Sequence, residues 1–291
     1  GNSHNAMKIH PIEAGNFKLD GGAMFGVVPK SLWSRVKPAD ENNMCSWSMR
    51  CMLIDYGDRR VLIDTGMGDK QSEKFFGYYF LFGDHSLKGS LRAKGYEPED
   101  ITDVFLTHLH FDHCGGAVDS DGNGGYKTAF PNARYWSTEN HWNWAIKPND
   151  RERASFLKEN ILPIQESGQL NFVERDGRWS KGELFPGFRV FFADGHTESQ
   201  MIPYIEYEGK TLIYAADLLP SAAHIPMPYV MGYDTRPLET LEDKRIFLNA
   251  AADENHVIFL EHDIDNECCT VQHTEKGVRL KETMRFEEAF G

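Results

Sequence analysis

Thr107-His108-Leu109-His110-Phe111-Asp112-His113-Cys114-Gly115-Gly116 sets four potential metal ligands within six residues. The stretch follows Val104-Phe105-Leu106, an apolar run that reads as a short buried strand. Ligands at the end of a strand stand at the edge of a sheet, where loops build sites. His108 and His110 are two apart, so a continuing strand would put both imidazoles on one face. The chain must then turn to bring in Asp112 and His113, and Gly115-Gly116 permits a tight turn. Imidazoles with one carboxylate form a zinc-type donor set that needs no thiolate. A single histidine beside a strand is usually an ordinary core or surface residue; three with an aspartate in this order are not explained that way.

The run His108-x-His110-x-Asp112-His113 resembles the signature of the metallo-β-lactamase superfamily of hydrolases. With Gly95-Tyr96-Glu97-Pro98-Glu99-Asp100-Ile101 before it, it looks like the N-acyl-homoserine lactone lactonase branch, in motif order from about Met7 onward. The resemblance implies an α/β fold, a four-layer αββα sandwich of two equivalent halves. It also implies a third ligand at His196 in Asp194-Gly195-His196-Thr197, a bridging carboxylate at Asp217 and a last ligand at His262. Asp64, in Asp64-Thr65-Gly66, would stand behind a ligating imidazole, which needs a partner on its other nitrogen.

The length of 291 residues suits one large α/β domain or two small ones, and 41% hydrophobic content allows a sizeable core. A net charge of −13 disfavours nucleic acid or an anionic membrane as main partner. The five cysteines, Cys45, Cys51, Cys114, Cys268 and Cys269, are few and lack CxxC spacing, which fits a reduced cytoplasmic protein. Cys114 reads as a small buried residue rather than a ligand. No run approaches the roughly 18 apolar residues of a membrane span. Gly1 to Ala6 reads as a cloning remnant with the native start at Met7, and residues 7–291 as a single hydrolase domain.

Strands are expected at Ser48–Ile54, Arg60–Ile63, Phe188–Phe192, Thr211–Tyr214 and Val257–Leu260, several closing on a candidate site residue. Helices are expected over Ser86–Lys94, ended by Gly95, from a Ser137 cap through Trp142 and Trp144, and over Arg151–Asn160 with solvated charges. A further helix spans Leu238–Asn255, with Leu238, Leu241, Arg245 and Leu248 on one side. Gly122–Gly125 reads as a surface turn. The aromatic run Phe75–Phe82 is a core segment by default, or else a pocket wall or a dimer contact.

Ligand counting favours two divalent ions, most simply Zn²⁺, with Fe or Mn accepting the same donors. His108, His110 and His196 make one site; Asp112, His113 and His262 make the other; Asp217 bridges them with a hydroxide. That hydroxide would cleave a small ester or lactone, with Asp112 relaying a proton. The alternatives are phosphoester or phosphotriester hydrolysis on the same site, since Asp217–His224 also resembles the equivalent loop of methyl parathion hydrolase-type relatives, and a metal-binding protein without turnover. The redox di-iron branch places a glutamate where His110 stands, and the zinc β-lactamases lack an aspartate of the Asp217 type. Two positions depart from the lactonase pattern: Pro220 stands where the lactonases carry a tyrosine, and Gln200 where they carry a second histidine. The missing hydroxyl is then sought at His224, Tyr229 or Tyr233, and an apolar substrate portion at Trp33, Phe75–Phe82 and Trp142. The expected partner is a small molecule, with a possible homodimer.

Overall fold

The computed structural model describes residues 7–290; the cloning remnant read at Gly1–Ala6 lies outside them. The chain divides into two compact units. One comprises the chain up to Asn16 with Met49–Glu174, the other Phe17–Ser48 with the chain from Arg175 onward.

Among the described residues the first unit is built on a six-stranded sheet. Its strands are β1 (Lys8–Asp20), β2 (Met44–Asp55), β3 (Arg60–Ile63), β4 (Asp103–Phe105), β7 (Arg134–Ser137) and β8 (Leu170–Phe172), in that order across the sheet. A small hairpin, β5 (Val118–Ser120) and β6 (Tyr126–Thr128), carries Gly122–Gly125 at its exposed tip, the expected surface turn. β2 and β3 are antiparallel about the expected turn, where Gly57 N donates to Asp55 Oδ1 and φ is +92°. From β3 to β8 the strands are parallel, Leu62 facing Val104 and Val104 facing Tyr135. The inner parallel strands are buried on both faces at Val61–Ile63 and Val104–Phe105, so those stretches read as unbroken apolar runs. Parallel strands also finish at one edge, which places Asp64 beside the segment that follows Phe105.

The expected helix after Ser86 spans Leu87–Ala93. Ser86 Oγ accepts from Gly89 N, Leu87 and Leu91 are buried, and Gly95 ends it at φ +92°. Three other expectations are corrected. The helix carrying Trp142 and Trp144 spans Glu139–Ile146 and is capped by Thr138, because Ser137 is still in β7. Arg151–Asn160 is turns until a helix begins at Lys158. The aromatic run is not core: after a short helix at Glu73–Gly77, Tyr78, Phe80, Leu81 and Phe82 are exposed.

The second unit holds an eight-stranded sheet among the described residues. Its strands are β9 (Arg175–Asp176), β10 (Trp179–Ser180), β11 (Phe188–Ala193), β12 (Gln200–Tyr207), β13 (Lys210–Tyr214), β14 (Val257–Phe259), β15 (Cys268–Thr274) and β16 (Gly277–Met284), adjacent in chain order. β11, β12 and β13 alternate in direction, while β13 and β14 are parallel. β11, β13 and β14 therefore all run the same way, and the residues after them, His196, Asp217 and His262, leave from one edge. The helix Pro237–Glu254 stops where Asn255 turns left-handed. Its buried face is Thr240, Asp243, Lys244, Phe247, Leu248 and Ala251; of the expected side only Leu248 is on it, while Leu238 is 79% exposed and Arg245 exposed. Polar anchors, described below, set that face. No described helix is long and apolar enough to cross a membrane.

Candidate metal centre

In the first unit β4 stops at Phe105, so His108 and His110 do not continue a strand. They lie in a loop before a short helix, Phe111–Cys114, which carries Asp112 and His113. The glycines that follow serve a different purpose from the one expected. Gly115 has a helical φ of −58°, and a Cβ there would stand 2.0 Å from Met67 O. One at Gly116 would stand 2.1 Å from Thr65 O. Glycine lets this loop lie against the segment after β3.

That segment begins with Asp64, which holds φ +61° and is fully buried. Its carboxylate accepts from Thr107 N at 2.9 Å and Thr107 Oγ1 at 2.9 Å, and meets His113 Nδ1 at 2.8 Å. Thr107 Oγ1 also lies 3.0 Å from His108 Nδ1. The hydroxyl gives its one proton to Asp64 and so accepts from His108 Nδ1–H, which assigns Nε2 of His108 as the atom a cation would take. His113 is assigned the same way. His110 is reversed: its Nε2 meets Glu152 Oε2 at 2.7 Å, leaving Nδ1 as the donor. Glu152 is buried, and its other oxygen accepts from Trp144 Nε1 and Asn149 Nδ2. The charges of Arg151–Asn160 were expected to be solvated; this one is not. Asp112 is the least buried of the set, its Oδ2 3.3 Å from His113 Nε2.

The second unit repeats the pattern. His196 Nδ1 meets Asp234 Oδ1 at 2.7 Å, and Asp234 Oδ2 accepts from Thr240 Oγ1 at 2.7 Å. His262 Nδ1 donates to Ser48 O at 2.8 Å. Asp217, whose N donates to Gln200 Oε1 at 2.8 Å, divides its carboxylate between the two rings. Oδ2 lies 3.1 Å from His196 Nε2 and Oδ1 lies 3.0 Å from His262 Nε2. Burial would push the His196 imidazole down; Asp217 and Asp234 outweigh it and hold it up at about 10. The place calls for positive charge.

The donors in both units fit divalent cations. They are imidazoles and carboxylates, buried except for Asp112, each ring fixed through its second nitrogen by a hydroxyl, carboxylate or carbonyl, as metal-binding histidines are. Glu152, Asp234 and Ser48 were not legible in the sequence, since none sits in a motif; Gln200 was marked only as a departure from the lactonase pattern, and its bond to Asp217 was not foreseen.

Other candidates sort plainly. His224 is buried, with Nδ1 on Ser221 Oγ and Nε2 on Met24 O, and burial drives it down to about 3. Both nitrogens are committed, so it is set aside as a substrate group. Tyr229 is half-buried and Tyr233 exposed. Trp33 and Trp142 are core residues, Trp33 stacked on Phe25. Cys114 is buried, its thiol pushed up to about 12 by burial, and donates to Leu109 O.

The sequence model of the metallo-beta-lactamase superfamily matches residues 50–262, well over half of the chain. The N-acyl homoserine lactonase AiiA of Bacillus thuringiensis subsp. kurstaki is 27% identical over 273 residues, 89% of this chain and 94% of that protein. Among solved structures, a probable metal-dependent hydrolase from Staphylococcus aureus superposes with a TM-score of 0.83 at 29% identity, over 96% of this chain and 99% of its own. AidC, a dizinc quorum-quenching lactonase in complex with a product, gives 0.78 at 21% identity over 96% of each chain. The fold, a mixed α/β sandwich, is shared with both.

Proposed function

The chain belongs to the metallo-beta-lactamase superfamily, a hydrolase family, and from that premise we propose that it cleaves a small ester or lactone with two divalent ions, zinc first among them. His108, His110 and His196 would hold one ion, Asp112, His113 and His262 the other, and Asp217 both. The observation that carries this is Asp217, which offers one carboxylate oxygen to each of two imidazoles. The relatives named above, a dizinc lactonase among them, support zinc and a lactone-like substrate. Residues 7–291 would act as one hydrolase domain.

When bound, such ions supply hydroxide near neutral pH and polarise the scissile carbonyl. The chain's own residues do the rest. Gln200 fixes the Asp217 backbone and so aims its carboxylate. Asp64, Glu152, Asp234 and the Ser48 carbonyl hold four imidazoles in orientation and tautomer. Asp112, the most accessible carboxylate of the set, would take the proton given up by the attacking water and pass it to the departing alkoxide. Tyr229 or Tyr233 supplies the hydroxyl for the substrate carbonyl, in place of the tyrosine the lactonases carry where Pro220 stands. We place the protein in the cytoplasm on its five buried cysteines, none in a disulfide. We extend the proposal to a homodimer through exposed Tyr78 and Phe80, to be checked by light scattering.

Metal-replete protein should be assayed on lactones, aryl esters and phosphotriesters, beside Asp217→Asn. Turnover of a lactone or ester, lost in Asp217→Asn, is the expected result. Turnover of phosphotriesters alone would move the substrate class. Two bound zinc ions without turnover on any of the three would leave a metal-binding protein.

A further inference from the structure

Lys244 is 1% exposed on the Pro237–Glu254 helix. A buried ammonium ordinarily sits against a carboxylate. This one donates to three main-chain carbonyls: Pro226 O at 2.8 Å, Tyr229 O at 3.2 Å and Met227 O at 3.3 Å. Three donors meet three acceptors. An apolar side chain of similar length would fill the space without desolvating a charge, so packing does not account for the lysine. Burial draws its pKa down to about 7.

All three carbonyls belong to one turn, in the loop that leads from Asp217 to the helix. Tyr229 N closes that turn on Pro226 O at 2.9 Å. Pro226 and Pro228 have no N–H to enter a ladder, so the turn depends on its carbonyls for anchorage. Its flanks are pinned separately, His224 Nε2 on Met24 O and Gly232 N on Ala23 O. The Tyr229 ring stands edge-on to Phe25, centroids 6.1 Å apart.

We propose that Lys244 is a positioning residue of the hydrolase: its ammonium gathers the Pro226–Tyr229 carbonyls and so fixes where the Tyr229 hydroxyl meets the substrate carbonyl. This rests on the ester or lactone activity and on the Tyr229 role proposed above. One turn earlier on the helix, Thr240 holds Asp234 against His196. A single helix face thus sets both a proposed ligand and a proposed substrate group.

The test uses the full metal-replete chain as wild type, Lys244→Met, Tyr229→Phe and their double variant. Lys210→Met serves as control, its ammonium donating to Ala289 O at 2.9 Å. Zinc content, KM, kcat and amide hydrogen exchange over residues 226–231 are measured. In Lys244→Met, zinc content stays and exchange at Tyr229 and Val230 accelerates. KM rises about tenfold while kcat moves less than about threefold, the scale of lost charge-assisted hydrogen bonds. Tyr229→Phe raises KM alike, and the double variant adds nothing. Unchanged exchange, unchanged KM, or the same rise in Lys210→Met would overturn the proposal. Were the wild type inactive on every ester and lactone, the activity proposal would fall, and unchanged exchange in Lys244→Met would then be the result that removes Lys244 as an anchor.

Discussion

Glu152 joins His110 Nε2 to Trp144 and Asn149 inside the first unit, and its charge is what makes the bond to the imidazole strong. Glu152→Gln keeps the size and removes the charge. Zinc affinity in chelator competition should fall about 10–100-fold, the usual cost of losing the partner behind a metal-binding histidine; an unchanged affinity would remove Glu152 from the site. Gly115 makes a steric statement. Gly115→Ala puts a Cβ 2.0 Å from the Met67 carbonyl, and one of the two backbones must move. Urea unfolding should show a loss of about 1–3 kcal/mol, as overpacking gives, and metal content should drop with it because His113 lies two residues away. The motif announced the histidines by spacing, but spacing is silent about what stands behind each ring. Asp64 was found only because it occupies a motif of its own.

At the scale of elements, caps and apolar spacing were good guides where burial is apolar. Ser86, Leu87, Leu91 and Gly95 gave a helix whose limits agree with the structure to within a residue. The Glu139–Ile146 helix is capped by Thr138, whose Oγ1 accepts from His141 N at 3.0 Å. Thr138→Ala should cost about 1 kcal/mol in denaturant unfolding. His141 Nε2 accepts from Leu109 N, so the loop bearing His108 and His110 should loosen too, as faster amide exchange at Leu109. Arg151–Asn160 misled because a run of charges was read as a solvated helix face, and a buried acceptor looks no different in sequence. The Pro237–Glu254 helix misled for the same reason: Thr240, Asp243 and Lys244 turn inward to bond loops, while Leu238 points to water. Lys244 also gives a pH dependence. Burial lowers its pKa to about 7, with Asp234 opposing and Arg279 reinforcing. The unfolded chain holds that proton up to about 10.4, so between the two values it binds more protons than the folded chain. This group therefore makes stability rise with pH across that window. Urea melts at pH 7 and pH 9 should show the gain in wild type, and a smaller one in Lys244→Met.

For the whole molecule, ions held by the proposed ligands would bind the folded chain and not the unfolded one. Zinc at a hundred times its dissociation constant adds about 2.7 kcal/mol by mass action. Thermal unfolding with a chelator should therefore begin at a lower temperature, and added zinc should restore it; a melting temperature indifferent to both would argue against metal as part of the native state. By itself the sequence determined the family, the order of the strands that lead to His108–His113, His196, Asp217 and His262, and the residue types that suit divalent ions. Those depend on local spacing and on short apolar runs, which a linear chain displays. Only the tertiary structure decided which nitrogen of each imidazole is held, that Gln200 steadies Asp217, that Glu152 is buried, and that His224 is committed to the core. Except for Thr107 beside His108 and Ser221 near His224, each of these rests on a hydrogen bond between residues well separated in the chain. Such a bond follows from where two strands end and which way a helix turns, and neither partner carries a local mark of it.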